Sequence, residues 1–313
     1  KKNIKIFSKK NYIKNNIILV ELFDFPGSHI TYSYFSNVLS KLENARIVSF
    51  FSNQPSFKEY FRNLISPFSS YAIHQSFGSQ GLIIPKTDIN ISNKICNNLK
   101  DKKDVIKISI KNIYIGDLIY DEYLRTYKKS TVDIKSKEFL NFLNKSIKLF
   151  YFWYDYLSNN NVKGIIISHS VYLLGLPGRI ACYLNIPVYN VMATSAYYLN
   201  KKNMLTLSNF IFSKKKFLKL NKKIREKIII NSKNQISNRF KGLEDIKQIS
   251  DRKIRQNIFG SIDKDKKFLN RNSKFKILIA SHCFQDAVHV YGKLLFEDFH
   301  EWIDFLGKQS QKL

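Results

Sequence analysis

Residues 164–189 read GIIISHSVYLLGLPGRIACYLNIPVY, and the order of residue types along this stretch decides the fold class. Ile165, Ile166 and Ile167 make a short continuous apolar run, as expected of a strand buried on both faces. The run ends at Ser168 and His169. Gly175, Pro177 and Gly178 then interrupt the chain before an amphipathic helix, with Pro177 suited to a first helical turn and Gly178 permitting close approach of backbone. A second strand opens near Val188. Strand, loop, helix and strand together form a β-loop-α-β unit, which joins parallel strands by a right-handed crossover. Its loop lies at the carboxyl ends of the strands, where open α/β sheets bind their ligands.

The same order recurs nearer the start. NIILVELF (16–23) reads as a strand, DFPGSH (24–29) as a loop, ITYSYFSNVLSKLEN (30–44) as a helix and ARIVSFF (45–51) as a second strand. In that helix Phe35, Val38, Leu39 and Leu42 recur at three- and four-residue spacing, which predicts one buried face. Short helices are expected at 57–65 and 92–100, separated by a Ser- and Gly-containing loop over 66–81, and DVIKISI (104–110) is expected as a strand. Residues 114–129 carry a helical pattern. The segment 136–160 carries another, with Ser136 as N-cap and a stripe of Phe139, Leu143, Ile147, Phe150, Trp153 and Leu157. Residues 200–273 are Lys-rich and helical or irregular. A last strand-loop-helix pattern opens at FKILIASH (275–282). The reading is an α/β protein with a Rossmann-like parallel-sheet domain over 1–199, a basic helical connector over 200–273 and the start of a second, truncated α/β domain over 274–313.

Composition narrows the class of function. Of 313 residues 44% are hydrophobic and 14% aromatic, enough apolar surface for packed cores, which argues against global disorder. The formal charge of +28 favours polyanionic partners, an anionic membrane surface among them. Lys, Asn, Ile, Phe and Tyr rise together, as a composition drifting with an A/T-rich genome would give. The lysines are scattered, without a nucleic-acid motif. The three cysteines are odd in number and widely spaced, which indicates neither a disulfide framework nor a CxxC knuckle and fits a reducing cytoplasm. No uninterrupted apolar run approaches a membrane span. GxGxxG, GxxxxGK[ST] and GxSxG are all absent, which argues against a nicotinamide dehydrogenase, a P-loop NTPase and a Ser-His-Asp hydrolase.

Candidate chemistry gathers in the loops that follow strands. His29, with Asp24 in the same loop to orient it, fits a general base, because an imidazole can accept a hydroxyl proton at neutral pH. Ser168 and His169 end the strand of the opening stretch. Arg179 sits near a helix start, where free N–H groups already favour an anion. On the helix over 114–129, Asp117, Tyr120, Asp121 and Arg125 fall on one face, suited either to an ion network or to contacts with a sugar. His282, Asp286 and His289 would share a face on a helix and could then hold zinc. Directly after a strand they read as loop residues instead, and no metal is assigned.

Four stretches taken together, VELFDFPGSHITYSYFSNVLS (20–40), IGDLIYDEYLR (115–125), IISHSVYLLGLPGRIACYLNIPVY (166–189) and ILIASHCFQDAVHVYG (277–292), resemble bacterial surface and capsule polysaccharide biosynthesis proteins, which are similar to GT-B glycosyltransferases. The resemblance implies two Rossmann-like domains facing a cleft, with the acceptor on the N-terminal domain and a nucleotide-sugar donor mainly on the C-terminal one. It implies no metal or other cofactor. The Lys-Pro-His-Pro segment that members often carry late in the C-terminal domain is absent, in keeping with an expected truncation. The function expected is sugar transfer from a nucleotide-sugar to a glycan or lipid-linked acceptor, in the cytoplasm at the inner face of the membrane. His29 and Asp24 would be catalytic. Ser168, His169, Arg179, Asp117, Tyr120, Asp121 and Arg125 would contact substrate, and His282, Asp286 and His289 would lie on the donor side. The alternatives are a non-catalytic basic protein that binds glycan or lipid, and a metal-dependent hydrolase.

Overall fold

A computed structural model describes residues 6–7, 15–23, 26–87, 95, 98–192, 195–205, 211–240, 279, 283–290 and 295–311. The elements, in chain order, begin with β1 (Ile17–Glu21), α1 (Pro26–Leu42), β2 (Arg46–Phe50), α2 (Phe57–Ile65), α3 (Ser70–Ser76) and β3 (Ser79–Ile83). Next come α4 (Lys102–Ile106), β4 (Ser109–Ile110), β5 (Ile113–Tyr114), α5 (Gly116–Tyr127), α6 (Lys137–Asn159) and β6 (Val162–Ile167). The remainder is α7 (Leu176–Tyr183), β7 (Val188–Val191), β8 (Ala196–Leu199), α8 (Ile211–Leu218), α9 (Lys222–Phe240) and α10 (Phe299–Ser310).

Six strands form one sheet in the order β3-β2-β1-β6-β7-β8, parallel except for the antiparallel edge strand β8. The protein is therefore an α/β chain with a Rossmann-like sheet. All of β1 is buried, and its side chains divide between two cores. Ile17 and Leu19 pack with residues of α5, α6 and α7, whereas Ile18 and Val20 pack with Tyr32 and Leu39 of α1. Helices thus cover both faces, which is why the strand carries no polar alternation. The strand order reverses between β1 and β6, and the carboxyl ends of strands at such a reversal are where open α/β sheets form a ligand-binding crevice.

The stripe expected on α6 is inside: Phe139, Leu143, Ile147, Phe150, Trp153 and Leu157 are all buried. Trp153 packs edge-on against Phe50, and its Nε1–H donates to the Ser52 carbonyl at 2.9 Å, which fixes the loop leaving β2. The close approach expected at Gly178 is present as well. A Cβ there would stand 2.6 Å from Ile167 Cδ1, so α7 lies directly on β6 and a larger residue would require the Ile167 side chain to shift.

Other expectations need correction. DFPGSH is not all loop, because α1 begins at Pro26, and proline lacks only an amide hydrogen that a first turn leaves unpaired. The buried face of α1 is only partly the one expected: Leu39 is buried and Phe35 packs against the same core, but Val38 and Leu42 are exposed, while Ser33, Ser36, Asn37 and Ser40 are buried beside Tyr32. Small hydroxyls let the helix sit close to its neighbours, and Ser40 and Asn37 donate to the carbonyls of Ala45 and Phe77. The strand expected over 104–110 is instead α4 followed by the two-residue β4. Asp101 and Asp104 close a capping box that starts the helix, and positive φ at Lys111 and Asn112 turns the chain from β4 into β5. Strand β3 starts within the segment read as a loop over 66–81, and β8 lies in a segment to which no element was assigned. Only residues 95 and 98–100 of the helix expected over 92–100, and residue 279 of the strand expected over 275–282, are among the described residues.

Two compact units account for the chain, one of residues 1–208 with 282–313 and one of residues 209–281. The second contains α8 and α9, with Lys222, Lys223, Arg225, Lys227 and Lys233 exposed or half-exposed along α9. In the first, residues after 282 pack against α4, α5 and the loop after β6. Asp298 anchors them: its Oδ2 accepts from Tyr120 Oη (2.6 Å), Thr131 Oγ1 (2.5 Å) and Lys102 Nζ (2.9 Å), while its Oδ1 caps α10 through the Glu301 amide.

A buried histidine makes this unit sensitive to acid. His74 of α3 shares its Nδ1 with Ser49 Oγ at 3.2 Å, and burial, reinforced by His29, lowers its pKa to about 3. The unfolded chain takes up this proton below the ordinary histidine value while the native chain does not, so stability falls as pH drops through that window. Between pH 7 and pH 5 the His74 contribution to that loss is expected to be about 2 kcal/mol. In denaturant titrations His74→Asn is expected to flatten the slope by about one proton over that range. An unchanged slope would contradict the assignment.

Candidate active site

The crevice at the carboxyl ends of β1 and β6 is built around a residue that the sequence reading did not select. Glu21, the last residue of β1, is 1% exposed. Its Oε1 accepts from Ser52 Oγ and its Oε2 from the Ser168 amide, both at 2.5 Å, so one carboxyl group ties together the segments that leave β1, β2 and β6. Burial raises its pKa, and the hydrogen bonds to Ser168 and Ser52 oppose the shift. The Tyr32 hydroxyl is raised too, first by burial and then by the charge of Glu21. An acidic residue closing an otherwise apolar strand was the sequence signal available for this position.

Beyond Glu21 the wall is formed by the loop after β6. Asn190 of β7 donates to the Ser168 carbonyl at 2.7 Å and holds the strand end in place. His169 is half-buried, with its Nδ1 2.9 Å from Ser168 Oγ and its ring edge-on to Phe23 at 5.1 Å. Its pKa is lowered by burial and then by the positive charge of Arg125, with Asp286 acting the other way. The imidazole is therefore neutral at pH 7.

The next turn of this loop is strained. Tyr172 has φ 56° and ψ −174°, a region in which residues other than glycine are rarely found. Several contacts hold it there. Its hydroxyl donates to Asp286 Oδ1 at 2.5 Å, the Arg125 guanidinium lies 4.3 Å from its ring centroid, and the following Leu173 amide donates to Glu122 of α5. His169, Tyr172, Arg125 and Asp286 consequently surround one stretch of the rim, with Asp286 itself exposed.

Other expected site residues are engaged elsewhere. Arg179 is 4% exposed and clasps Asp117 through both guanidinium nitrogens, with a further hydrogen bond to the Tyr114 carbonyl. The free N–H groups expected to favour an anion beside it do not face solvent there. Tyr120 is buried and spends its hydroxyl on Asp298. Asp121 accepts from the His289 backbone amide and pairs with its Nδ1 at 2.6 Å, while Nε2 of the same ring meets the Glu297 carbonyl. Burial alone would lower the pKa of His289, but the hydrogen bond to Asp121 and the charge of that carboxylate raise it. His29 is 8% exposed within α1, with Nε2 3.0 Å from Ser70 Oγ and its ring beside His74, so it faces α3. Asp24 and His282 lie outside the described residues. The structure thus brings Ser168, His169, Arg125 and Asp286 together, while His29, Arg179 and Tyr120 are bonded to Ser70, Asp117 and Asp298.

Among the described residues no group of three or more His, Cys, Asp or Glu side chains could hold a metal ion. No family model, curated protein or solved structure matches the chain.

The Asp117–Arg179 pair joins α5 to α7 directly beneath the loop after β6. Removing the carboxylate would strand a buried guanidinium, so Asp117→Ala is expected to cost about 3–5 kcal/mol in urea titrations. Replacing both partners, as in Asp117→Ala with Arg179→Met, is expected to recover most of that loss. Equal destabilisation by the single and the double variant would show that the pair is not the source.

Proposed function

We propose that this chain transfers a sugar from a nucleotide-sugar donor to a hydroxyl of a surface-glycan or lipid-linked acceptor, with His169 as the general base. The observation that carries the reading is a neutral, half-buried imidazole at the carboxyl end of β6, at the point where the strand order reverses and beside the cation Arg125. A base of this kind accepts the acceptor's proton as the new glycosidic bond forms, and a fixed cation stabilises negative charge on the departing phosphate. Ser168 Oγ holds the ring through Nδ1, which leaves Nε2 to take the proton. In this assignment His29 gives up the role of base to His169. Its imidazole is buried against Ser70 of α3. The likeness to GT-B glycosyltransferases supports the substrate class, and the Rossmann-like sheet supports the position of the site. The proposed place of action is the cytoplasmic side of the membrane. No helix among the described residues is long and apolar enough to cross one.

Transfer is to be measured with purified protein, a panel of nucleotide-sugars and a glycan or lipid-linked acceptor. His169→Gln is expected to lower kcat by about 10²–10⁴-fold with little change in KM. Arg125→Gln is expected to weaken catalysis as well, whereas His29→Gln retains turnover at reduced stability. Because the base works unprotonated, kcat/KM for the wild type is expected to fall on the acid side, with a midpoint below the ordinary histidine value. Wild-type kcat in His169→Gln would contradict the assignment. Donor binding without turnover by the wild type would point to a non-catalytic binding protein.

A further inference from the structure

Helix α2 is folded inside out. Its one buried residue is the polar Asn63, whose backbone carbonyl accepts from Ser69 Oγ and whose side-chain oxygen accepts from the Tyr71 amide. The apolar residues face the other way: Phe57 is 78% exposed, Ile65 72% and Phe68, on the turn that follows, 88%, with Phe61 and Leu64 between them also exposed. Positions 57, 61, 64 and 65 trace one stripe at helical spacing within α2, and the exposed Phe68 follows just beyond its extended C-cap, Ser66. The rings of Phe57 and Phe61 lie 4.4 Å apart, so this end of the stripe is an ordered apolar surface. Exposed Lys58 and Arg62 alternate with the two phenylalanines. The helix starts shortly after Ser52, the residue that donates to Glu21.

We propose that α2 and Phe68 form a docking face that lies in the headgroup layer of an anionic bilayer. A helix with bulky apolar groups on one side and cations at its flank is the arrangement that binds such an interface, through apolar insertion and attraction to acidic lipid. Charge decides between lipid and a second copy of the chain. With a net charge of +28 two copies repel, whereas an anionic surface is complementary. Docking stands apart from the proposed chemistry, and only the idea that the bilayer also delivers the acceptor rests on that reading.

The test is flotation of the full chain with vesicles of phosphatidylcholine alone or mixed with phosphatidylglycerol, without substrate. The wild type is expected to float with the mixed vesicles and only weakly with the neutral ones. Each of the three most exposed side chains contributes roughly tenfold to partitioning when it is buried, so F57S/I65S/F68S is expected to lose a hundredfold or more. Its circular dichroism, thermal midpoint and transfer to a soluble acceptor are expected to remain unchanged. K58E, a milder change, is expected to weaken binding to the mixed vesicles alone and to reduce its salt dependence. The proposal is overturned if the triple variant floats as well as the wild type, if the wild type ignores the mixed vesicles, or if the wild type is a dimer that the triple variant disperses.

Discussion

A buried carboxyl group holds the working end of this sheet together. Taking a carboxyl group out of water costs several kcal/mol unless hydrogen bonds replace its hydration. Glu21 receives them from the Ser52 hydroxyl and the Ser168 amide, and Trp153 fixes Ser52 in turn. Three strand ends are thereby locked in one arrangement at the point where their connections part to opposite faces. Every group assigned to the crevice inherits its position from that lock, because His169 follows Ser168 directly and Tyr172 is one turn further along the same loop.

A second set of ties brings the C-terminal segment to the same region. Asp286 accepts from Tyr172, His289 pairs with Asp121, and Asp298 gathers Tyr120, Thr131 and Lys102. These contacts join residues more than a hundred positions apart, and they explain why acidic and aromatic groups on α5 that suggest a sugar site are mostly spent on internal pairing. Arg125 differs, being half-buried over the ring of Tyr172 at the rim. A strained tyrosine held by a cation on one side and a carboxylate on the other is costly to maintain, and such strain concentrates at functional sites.

The fold was legible where apolar periodicity met punctuation. The run ending at Ile167, Gly178 beneath it and the six-residue stripe of α6 each specify one structure, because a strand buried on both faces and a helix buried on one leave different patterns. Reading failed where polar groups rather than apolar ones do the packing. The serines and Asn37 of α1 gave no hydrophobic signal, so Val38 and Leu42 were placed with Phe35 and Leu39 on its buried face. The capping box at Asp101 was hidden behind a β-branched run. In the site, histidine drew the eye to His29 and His169 alike, and only burial separates them. Glu21 went unnoticed because a carboxylate at a strand end looks like a solvated boundary until the tertiary partners of Ser52 and Ser168 are known. Arg179 and Asp117, sixty-two positions apart, give no local sign of pairing.

The account stands on His169 being a neutral base in a ligand-binding crevice between β1 and β6. Histidine side-chain NMR on the intact protein, titrated with pH and then with UDP, GDP and CMP in turn, reads this directly. The predicted result is a His169 pKa below the ordinary histidine value, together with a shift of its resonances on nucleotide addition while those of His29 and His74 stay in place. A His169 that titrates at or above the ordinary value, or nucleotide shifts centred on His29 and His74 instead, would contradict it.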